Sequence, residues 1–410
     1  MRIGGLGCAV VAVLVGAVAW ASPARSAPPG DPCEPAAIGD GRTDNTAALQ
    51  AAIDACSADG GGLVTLSGGV FVTGPILLRD HVLLNVEAGA TLQGTADPTR
   101  YEGAFIGFPY RPREALISAY GARDVGVIGQ GTIDGQGAPW WAASGLPRPW
   151  LIEFYRTRSA VVEGVTIRDA PMWGIVARYS TSVFINEVSI RNPADSPGTD
   201  GIDVVSSHNV RISRASIDTG GDCIALKSGL PGLAVPPVPT GNVRIADSTL
   251  GAGLGLSIGS EAAGGISHVQ VRNVAFHGTQ SGIRISTGRD RGNEISDLSY
   301  RNITMTGVGI PISFSADDPG ADAAQPITAT TPFIHGILID TFNATGAASA
   351  GLIAGLPESP IYNLALRNVS IVAQTGLALR DVSLRTERLT ITVQHGDPLI
   401  EQDGVHLVGN

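Results

Sequence analysis

The sequence predicts an all-β protein, a right-handed parallel β-helix with a short N-terminal capping helix. Strand-like segments recur with spacings of 27, 33, 26 and 29 residues, measured between the matching apolar positions Val183, Val210, Val243, Val269 and Leu298. Apolar residues alternate within these segments, and this is the period of a strand rather than of a helix. Glycine is frequent (54) and aromatic residues are scarce (5%), which suits tight turns and small inward side chains. A near-constant period with variable loop length is typical of a solenoid with insertions on one side.

Each repeat continues into a second alternating strand. The second strands are GIDVVSS, CIALKSG, GLSIGSE, GIRISTG and IPISFSA. Earlier turns of the coil are predicted at 82–95, 123–137 and 159–167, and later turns at 334–343, 361–372 and 388–395. We expect residues 27–410 to form a single domain of this kind.

The segment 43–62 has a different pattern. Asp44 or Asn45 can serve as the N-cap of a helix, an Ala-rich apolar stripe follows, and a run of glycines ends it. A helix at this place would cover the open first turn of the coil and protect its exposed edge.

Residues 1–26 are predicted to be a signal peptide. Arg2 supplies a short basic region, and 8–19 is an apolar run too short to span a membrane comfortably. Small residues suitable for cleavage follow. We therefore expect a secreted or periplasmic protein with no membrane partner.

Cysteine use fits an oxidising compartment. Cys33 and Cys56 could pair, with Cys223 free and buried, although spacing alone does not fix the connectivity. No cluster of cysteines and histidines has the spacing of a metal site, so we expect neither a metal nor another cofactor. The formal charge of −10 argues against nucleic acid as a partner. We expect a monomer.

Stacking the second strands brings polar residues together. Asp200 and Asp222 precede consecutive second strands at equivalent positions, so they should lie one turn apart, about 5 Å. Alternation directs two columns of residues outward, Asp203, Ala225, Ser257 and Arg284 in one and Val205, Lys227, Gly259 and Ser286 in the next. The result is an open groove with Asp200 and Asp222 as candidate catalytic residues and Arg284 and Lys227 as candidate substrate-binding residues.

Each of these residues also has a purely structural interpretation. An Asp in a Gly-rich turn often only caps the bend, and Arg284 or Lys227 could be a solvated side chain. Asp203 and Glu261 are expected to brace turns by hydrogen bonds. Trp140, Trp141 and Trp173 could stack on sugars, but their places near turns favour packing.

The motifs as a set resemble the polygalacturonases of glycoside hydrolase family 28, which degrade pectin. The similarity runs from GDGRTDNTAALQAAIDAC through GATLQGT and IDGQGAPWW to the repeats. The family's four site motifs are Asn-Thr-Asp, Gly-Asp-Asp, Gly-His-Gly and Arg-Ile-Lys. They fall here on Gly198-Thr199-Asp200, Gly220-Gly221-Asp222, Gly253-Leu254-Gly255 and Arg284-Ile285-Ser286. The resemblance implies an acidic polysaccharide as substrate, galacturonan or a related uronic-acid-containing glycan.

Every motif departs from the family at one functional residue. The family's reaction is inverting hydrolysis, in which an acid protonates the leaving oxygen and carboxylates activate water. The resemblance assigns Asp200 and Asp222 to the water, but the acid falls at Gly221. The histidine thought to tune that acid is Leu254, and the lysine that grips the uronate beside Arg284 is Ser286.

Three functions therefore remain open. The first is a glycosidase with a rearranged acid, either Asp222 itself or a loop carboxylate such as Asp195 or Glu261. Like charge from Asp200 would raise the pKa of Asp222 and suit it to that role. The second is a catalytically impaired β-helix that binds acidic glycan. The third is a β-eliminating lyase with Arg284 as base and carboxylates holding Ca²⁺.

Overall fold

The computed structural model describes residues 31–143, 145–146, 148–316 and 323–409. From Pro32 onward the chain is one compact unit. It is a right-handed parallel β-helix, as the sequence predicts, in which all strands join one sheet wound into a coil. The predicted signal peptide, 1–26, lies outside the described residues. Within them, no helix has both the length and the apolar character needed to cross a membrane.

The coil begins with short strands. They are β1 (Asp40–Asp44), β2 (Gly62–Leu66), β3 (Gly69–Thr73), β4 (Ile76–Leu78), β5 (Val82–Val86) and β6 (Ala90–Gly94). From β2 to β17, each strand pairs in parallel with the strand three places later along the chain, so a turn of the coil consists of three strands.

The middle turns carry the insertions. Their strands are β7 (Ala115–Tyr120), β8 (Arg123–Gly129), β9 (Thr132–Asp134), β10 (Trp150–Tyr155), β11 (Arg158–Glu163), β12 (Thr166–Arg168), β13 (Ile175–Arg178), β14 (Thr181–Asn186), β15 (Ser189–Arg191), β16 (Ile202–Val205), β17 (His208–Ser213) and β18 (Ser216–Asp218). A 3₁₀ helix (Pro98–Arg100) lies in the insertion before β7, and a short helix α2 (Ala138–Ala142) in the one before β10.

In the later turns neighbouring strands fuse into longer ones. The strands are β19 (Ile224–Lys227), β20 (Thr240–Leu250), β21 (Leu256–Gly259), β22 (Ile266–His277), β23 (Ser281–Ser286), β24 (Glu294–Thr306), β25 (Ile310–Ser315), β26 (Phe333–Ala354), β27 (Ile361–Arg380), β28 (Val382–Val393), β29 (Leu399–Glu401) and β30 (Val405–Gly409). The predicted repeats therefore survive, but with fewer breaks than the sequence pattern suggested.

The core is a set of stacked apolar ladders inside the coil. One ladder lies in register on equivalent strands of five successive turns and consists of Ile175, Ile202, Ile224, Leu256 and Ile283, each at most 1% exposed. Burial of such a side chain stabilises the fold by roughly 1.5–3 kcal/mol. The alternation that buries these residues also fixes which neighbours face outward, and so it positions the site.

The predicted N-terminal helix is α1 (Thr46–Ala58), between β1 and β2. Asn45 occupies the N-cap position, but its amide bonds to Ile38 and other backbone groups rather than to the helix. The helix buries Leu49 and Ile53 in the core of the first turns, as a cap should. Gly60 and Gly61 follow it at positive φ.

The predicted disulfide is present. Cys33 and Cys56 are joined by an S–S bond of 2.00 Å, which ties the segment before β1 to α1. Cys223 is free and buried, as expected.

Candidate active site

The predicted columns of outward residues are present, and each column takes one residue from the equivalent strand of successive turns. Parallel pairing aligns Asp203, Ala225, Ser257 and Arg284 on β16, β19, β21 and β23. Val205 and Lys227 are aligned in the adjacent column. Because the ladders inside the coil fix the register, these side chains share one face of the sheet.

Asp200 and Asp222 lie at equivalent points of adjacent turns, each two residues before the first core residue of its strand. The Asp222 N–H donates to Asp200 Oδ1 at 2.9 Å, so the backbone of one turn holds the carboxylate of the other. Both residues are buried, with 7% and 8% of their surface exposed. The structure therefore brings the two predicted carboxylates together.

The column containing these residues begins further upstream with two tryptophans. Trp150 and Trp173 stand two residues before Ile152 and Ile175, just as Asp200 stands before Ile202. Their rings stack with centroids 5.2 Å apart and planes 8° from parallel. Packing was the favoured interpretation for Trp173, and it is confirmed. Extending the Asp200 column upstream in the sequence would have revealed this pair.

Lys227 is buried against the site. Its Nζ donates to Asp203 Oδ1 at 2.8 Å and to Asp200 Oδ2 at 3.2 Å, and it lies 3.8 Å from the ring centre of Trp173. Burial by itself would lower the pKa of the ammonium, but the negative charges of Asp203 and Asp200 raise it above its ordinary value. Lys227 therefore stays protonated and acts as the internal counter-charge of two carboxylates.

Asp222 is held from the opposite side. Its Oδ1 accepts from Ser257 Oγ at 2.5 Å and from Arg284 Nη1 at 3.3 Å. Burial raises the pKa of Asp222, and the charge of Asp200 raises it further. Arg284 retains 30% side-chain exposure, so part of this side chain remains accessible to solvent. Ser257 belongs to the predicted outward column, but its contact with Asp222 was not anticipated.

The balance of charges in the site explains why one of its carboxyls is expected to hold a proton. Two cations, Lys227 and Arg284, face the three carboxyls of Asp200, Asp203 and Asp222. One proton on a carboxyl makes the buried group neutral, and low-dielectric surroundings favour that state. Burial raises the pKa of Asp203 as well, but its side chain is fully buried and cannot meet a substrate.

Gly221, where the family has its acid, lies directly against Asp200. A Cβ at this position would stand 2.0 Å from Asp200 Oδ1, the oxygen that accepts the Asp222 N–H. No side chain fits there without moving Asp200. The absence of an acid at position 221 and the hydrogen bond from the Asp222 N–H to Asp200 are therefore linked, because the bond occupies the space that a side chain at 221 would need.

The other two departures from the family motifs are Leu254 and Ser286. Leu254 is half-buried and its carbonyl accepts from Ser281 Oγ at 2.7 Å. Ser286 is half-buried beside Arg284. The chain therefore presents one guanidinium where the family pattern has an arginine and a lysine.

The alternative acids lie less favourably. Asp195 is exposed on the loop between β15 and β16. Glu261 is half-buried after β21, with one carboxyl oxygen buried, and its charge contributes to the raised pKa of Lys227. In the described ranges no three acidic, cysteine or histidine side chains are grouped so as to hold a metal ion.

The described residues thus form a parallel β-helix that carries a carboxylate pair and two counter-cations on one outward face. Residues 87–392 match the family described as glycosyl hydrolases family 28. The chain belongs to that family.

Individual relatives agree with this assignment. A probable polygalacturonase of Vitis vinifera is 30% identical over 354 residues, 82% of this chain and 72% of that protein. An endo-polygalacturonase of Pectobacterium parmentieri is 29% identical over 326 residues, 73% of this chain and 79% of that protein. The solved structure of an exopolygalacturonase from Thermotoga maritima is similar with a TM-score of 0.72 and 25% identity, over 91% of this chain and 90% of that one.

Proposed function

We propose that the protein hydrolyses glycosidic bonds in a pectin-type acidic polysaccharide, galacturonan or a related glycan that contains uronic acid. The observation that carries the proposal is the carboxyl of Asp222, buried, raised in pKa and placed beside a second carboxylate at the edge of the groove. Family membership supports the reaction class, and the relatives named above are polygalacturonases.

Asp222 takes the role of general acid in this proposal. Its proton passes to the glycosidic oxygen as the bond to the anomeric carbon breaks, and the leaving sugar departs as an alcohol. Arg284 and Ser257 hold the carboxylate that remains. An acid whose pKa is raised keeps its proton closer to neutrality, as general acid catalysis requires.

Asp200 takes the role of the carboxylate that orients the attacking water and accepts its proton. The Lys227 ammonium and the Asp222 N–H balance its negative charge and fix its direction. Lys227 thus acts through Asp200, and we assign substrate contact to Arg284 alone of the two cations. A guanidinium can pair with a uronate carboxylate through two parallel hydrogen bonds.

The reduced number of cations suits a substrate with fewer charges. A polymer in which uronate alternates with a neutral sugar needs only one cation for each pair of residues. Such a glycan is compatible with one groove-facing arginine and with Ser286 in place of a lysine.

The disulfide supports export. Such bonds persist in the periplasm or outside the cell and are rare in the cytosol. Together with the predicted signal peptide, the Cys33–Cys56 bond favours a secreted or periplasmic enzyme.

The first test is release of reducing sugar from polygalacturonate, rhamnogalacturonan and xylogalacturonan by wild type and Asp222→Asn. We expect release from at least one glycan, reduced by about 10²–10⁴ in the variant because the acid is lost. Wild-type activity should fall as pH rises through the pKa of Asp222, above the usual carboxyl range near 4, because the acid must be protonated. Asp195→Asn is the control and should keep wild-type activity.

A glycan-binding protein without catalysis is the second candidate. Gly221 in the family's acid position favours it. No release from any of the three glycans, with binding of one of them measured by calorimetry, would establish this function and refute the first.

A further inference from the structure

The groove face is covered on the N-terminal side of the carboxylates. Ile106, in the loop 101–114 before β7, packs with Trp150, Trp173, Val176 and Val205 in a buried cluster separate from the core of the coil. None of these five residues is more than 9% exposed. The outward surface that leads up to Asp200 is therefore filled by protein and offers no path to a polymer.

Arg178 fastens this loop to the sheet. Its Nη1 donates to the carbonyl oxygens of Phe105, Ile106 and Phe108 at 3.2, 3.3 and 2.8 Å. Its Nη2 donates to Glu114 at 2.6 Å and to Glu153 at 2.7 Å, and all three charged side chains are fully buried. Its Nε also donates to Glu153 at 2.9 Å. A buried guanidinium with six such bonds holds a loop in one position, because removal of any partner leaves a buried group unsatisfied.

A second loop, 228–239, meets the first one. Leu233 lies so close to Gly107 that a Cβ there would stand 2.2 Å from its Cδ1. At the base of this loop Tyr179 donates its hydroxyl to the carbonyl of Pro236 at 3.0 Å. Because β19 ends at Lys227, this loop starts beside the site and closes over the same face.

The two loops together line a separate groove of about 570 Å³, to which loop 101–114 contributes Tyr110 and loop 228–239 contributes Val235. Neither Asp200 nor Asp222 lines it. This groove is therefore formed between the loops and is not part of the site around the two carboxylates.

The opposite side of the site is different. Arg284 is partly exposed, Ser313 and Ser315 on β25 are half-buried, and Leu352 on β26 is 37% exposed. Among the described residues, the face past Asp222 therefore stays open toward the C-terminal turns. Along the described part of this face, a glycan lying parallel to the coil axis can therefore extend toward the C-terminal turns.

We infer that the protein takes the end of a polysaccharide chain and cuts close to it, with the Trp173–Ile106 contact and loop 101–114 as the wall that stops the chain. Trp173 stands one turn, about 4.8 Å, from Asp200, which leaves space for only a short piece of glycan beyond the cleaved bond. This inference rests on the proposed function and specifies its mode of attack.

The experiment compares the fall in viscosity of the hydrolysed glycan with the number of bonds broken. We expect mono- and disaccharide from the first minutes, with viscosity almost unchanged until many bonds are cut. An early loss of viscosity with a range of oligosaccharides would overturn this inference and leave the proposed function intact. Complete absence of hydrolysis would overturn both.

Substitutions that loosen loops 101–114 and 228–239 provide a second test of the inference. Arg178→Met releases the three loop carbonyls. Leu233→Gly removes the contact between the loops at a residue that is 38% exposed. Each should raise the viscosity loss per bond cut several-fold. Arg156→Met, an exposed arginine stacked near Tyr155, is the control and should match wild type. Folded variants that keep the wild-type product pattern would contradict the role of the loops.

Discussion

At the residue scale, the site depends on one absent side chain. Gly221 allows Asp200 Oδ1 to approach the backbone of Asp222, and that contact brings the two carboxyls together. The raised pKa of Asp222 follows from burial and from the neighbouring charge. The sequence alone shows that the motif Gly220-Gly221-Asp222 lacks the family's acid at Gly221. The structure shows that the carboxyl of Asp222 lies beside that position, and we propose it as the general acid.

Replacing Gly221 by the aspartate that the family has at this position is therefore expected to destabilise the protein. Gly221→Asp places a Cβ against Asp200 Oδ1, so Asp200 must move and lose its bond to the Asp222 N–H. We expect a loss of about 1–3 kcal/mol in the free energy of unfolding, as overpacking typically costs, and no gain in hydrolysis. Denaturant unfolding and reducing-sugar release measure the two effects.

Gly221→Ala is the matched comparison, since it adds the Cβ without the carboxyl and should be destabilised in the same way. A Gly221→Asp protein that hydrolyses faster than wild type would refute the assignment of the acid to Asp222.

At the element scale, the sequence allowed the strands and columns to be predicted because alternation is a local property. The positions of Asp203, Ser257 and Arg284 on one face follow directly from it, as does the pairing of Asp200 with Asp222. Even the contact of Lys227 with Asp203 could have been foreseen, because the two residues lie diagonally in adjacent columns.

The loops could not be predicted in this way. Loop 101–114 has no repeat or alternation, and its position depends on Arg178 and Trp173, which lie some seventy residues further along the chain. The expected open groove is consequently covered on one side. Contacts between an insertion and a distant turn leave no periodic signal in either segment.

The loop anchor should make stability depend on pH. Burial, and then the charge of Glu153, raises the pKa of Glu114 to about 8. Between the ordinary carboxyl pKa near 4.5 and this value, the folded state binds more protons than the unfolded state. The free energy of unfolding should therefore fall as pH rises through this window and level off above it.

Glu114→Gln removes this titration, and we expect its thermal midpoint to change less than that of wild type between pH 5 and 8. Glu102→Gln, in the same loop but partly exposed beside Arg113, is the control and should follow wild type. Identical slopes for wild type and Glu114→Gln would show that Glu114 does not hold the proton.

At the scale of the whole molecule, the proposed function requires an acidic protein to act on an acidic polymer. The formal charge is −10, while the groove offers the local positive charge of Arg284. Long-range repulsion slows the encounter, and short-range pairing holds the substrate once it has arrived. These two effects respond differently to salt, because screening acts first on charges separated by more than the Debye length.

Moderate salt should therefore speed the reaction on long chains. Between roughly 0.01 and 0.1 M salt the Debye length falls from about 30 to about 10 Å, which removes most of the repulsion but little of the contact with Arg284. We expect kcat/KM on polygalacturonate, or on whichever glycan is hydrolysed, to rise several-fold over this range. A trisaccharide of the same glycan carries few charges and should change much less. A steady fall of kcat/KM with salt on the polymer would instead indicate that attraction by local cations dominates the encounter, and the acidic surface would then have no kinetic role.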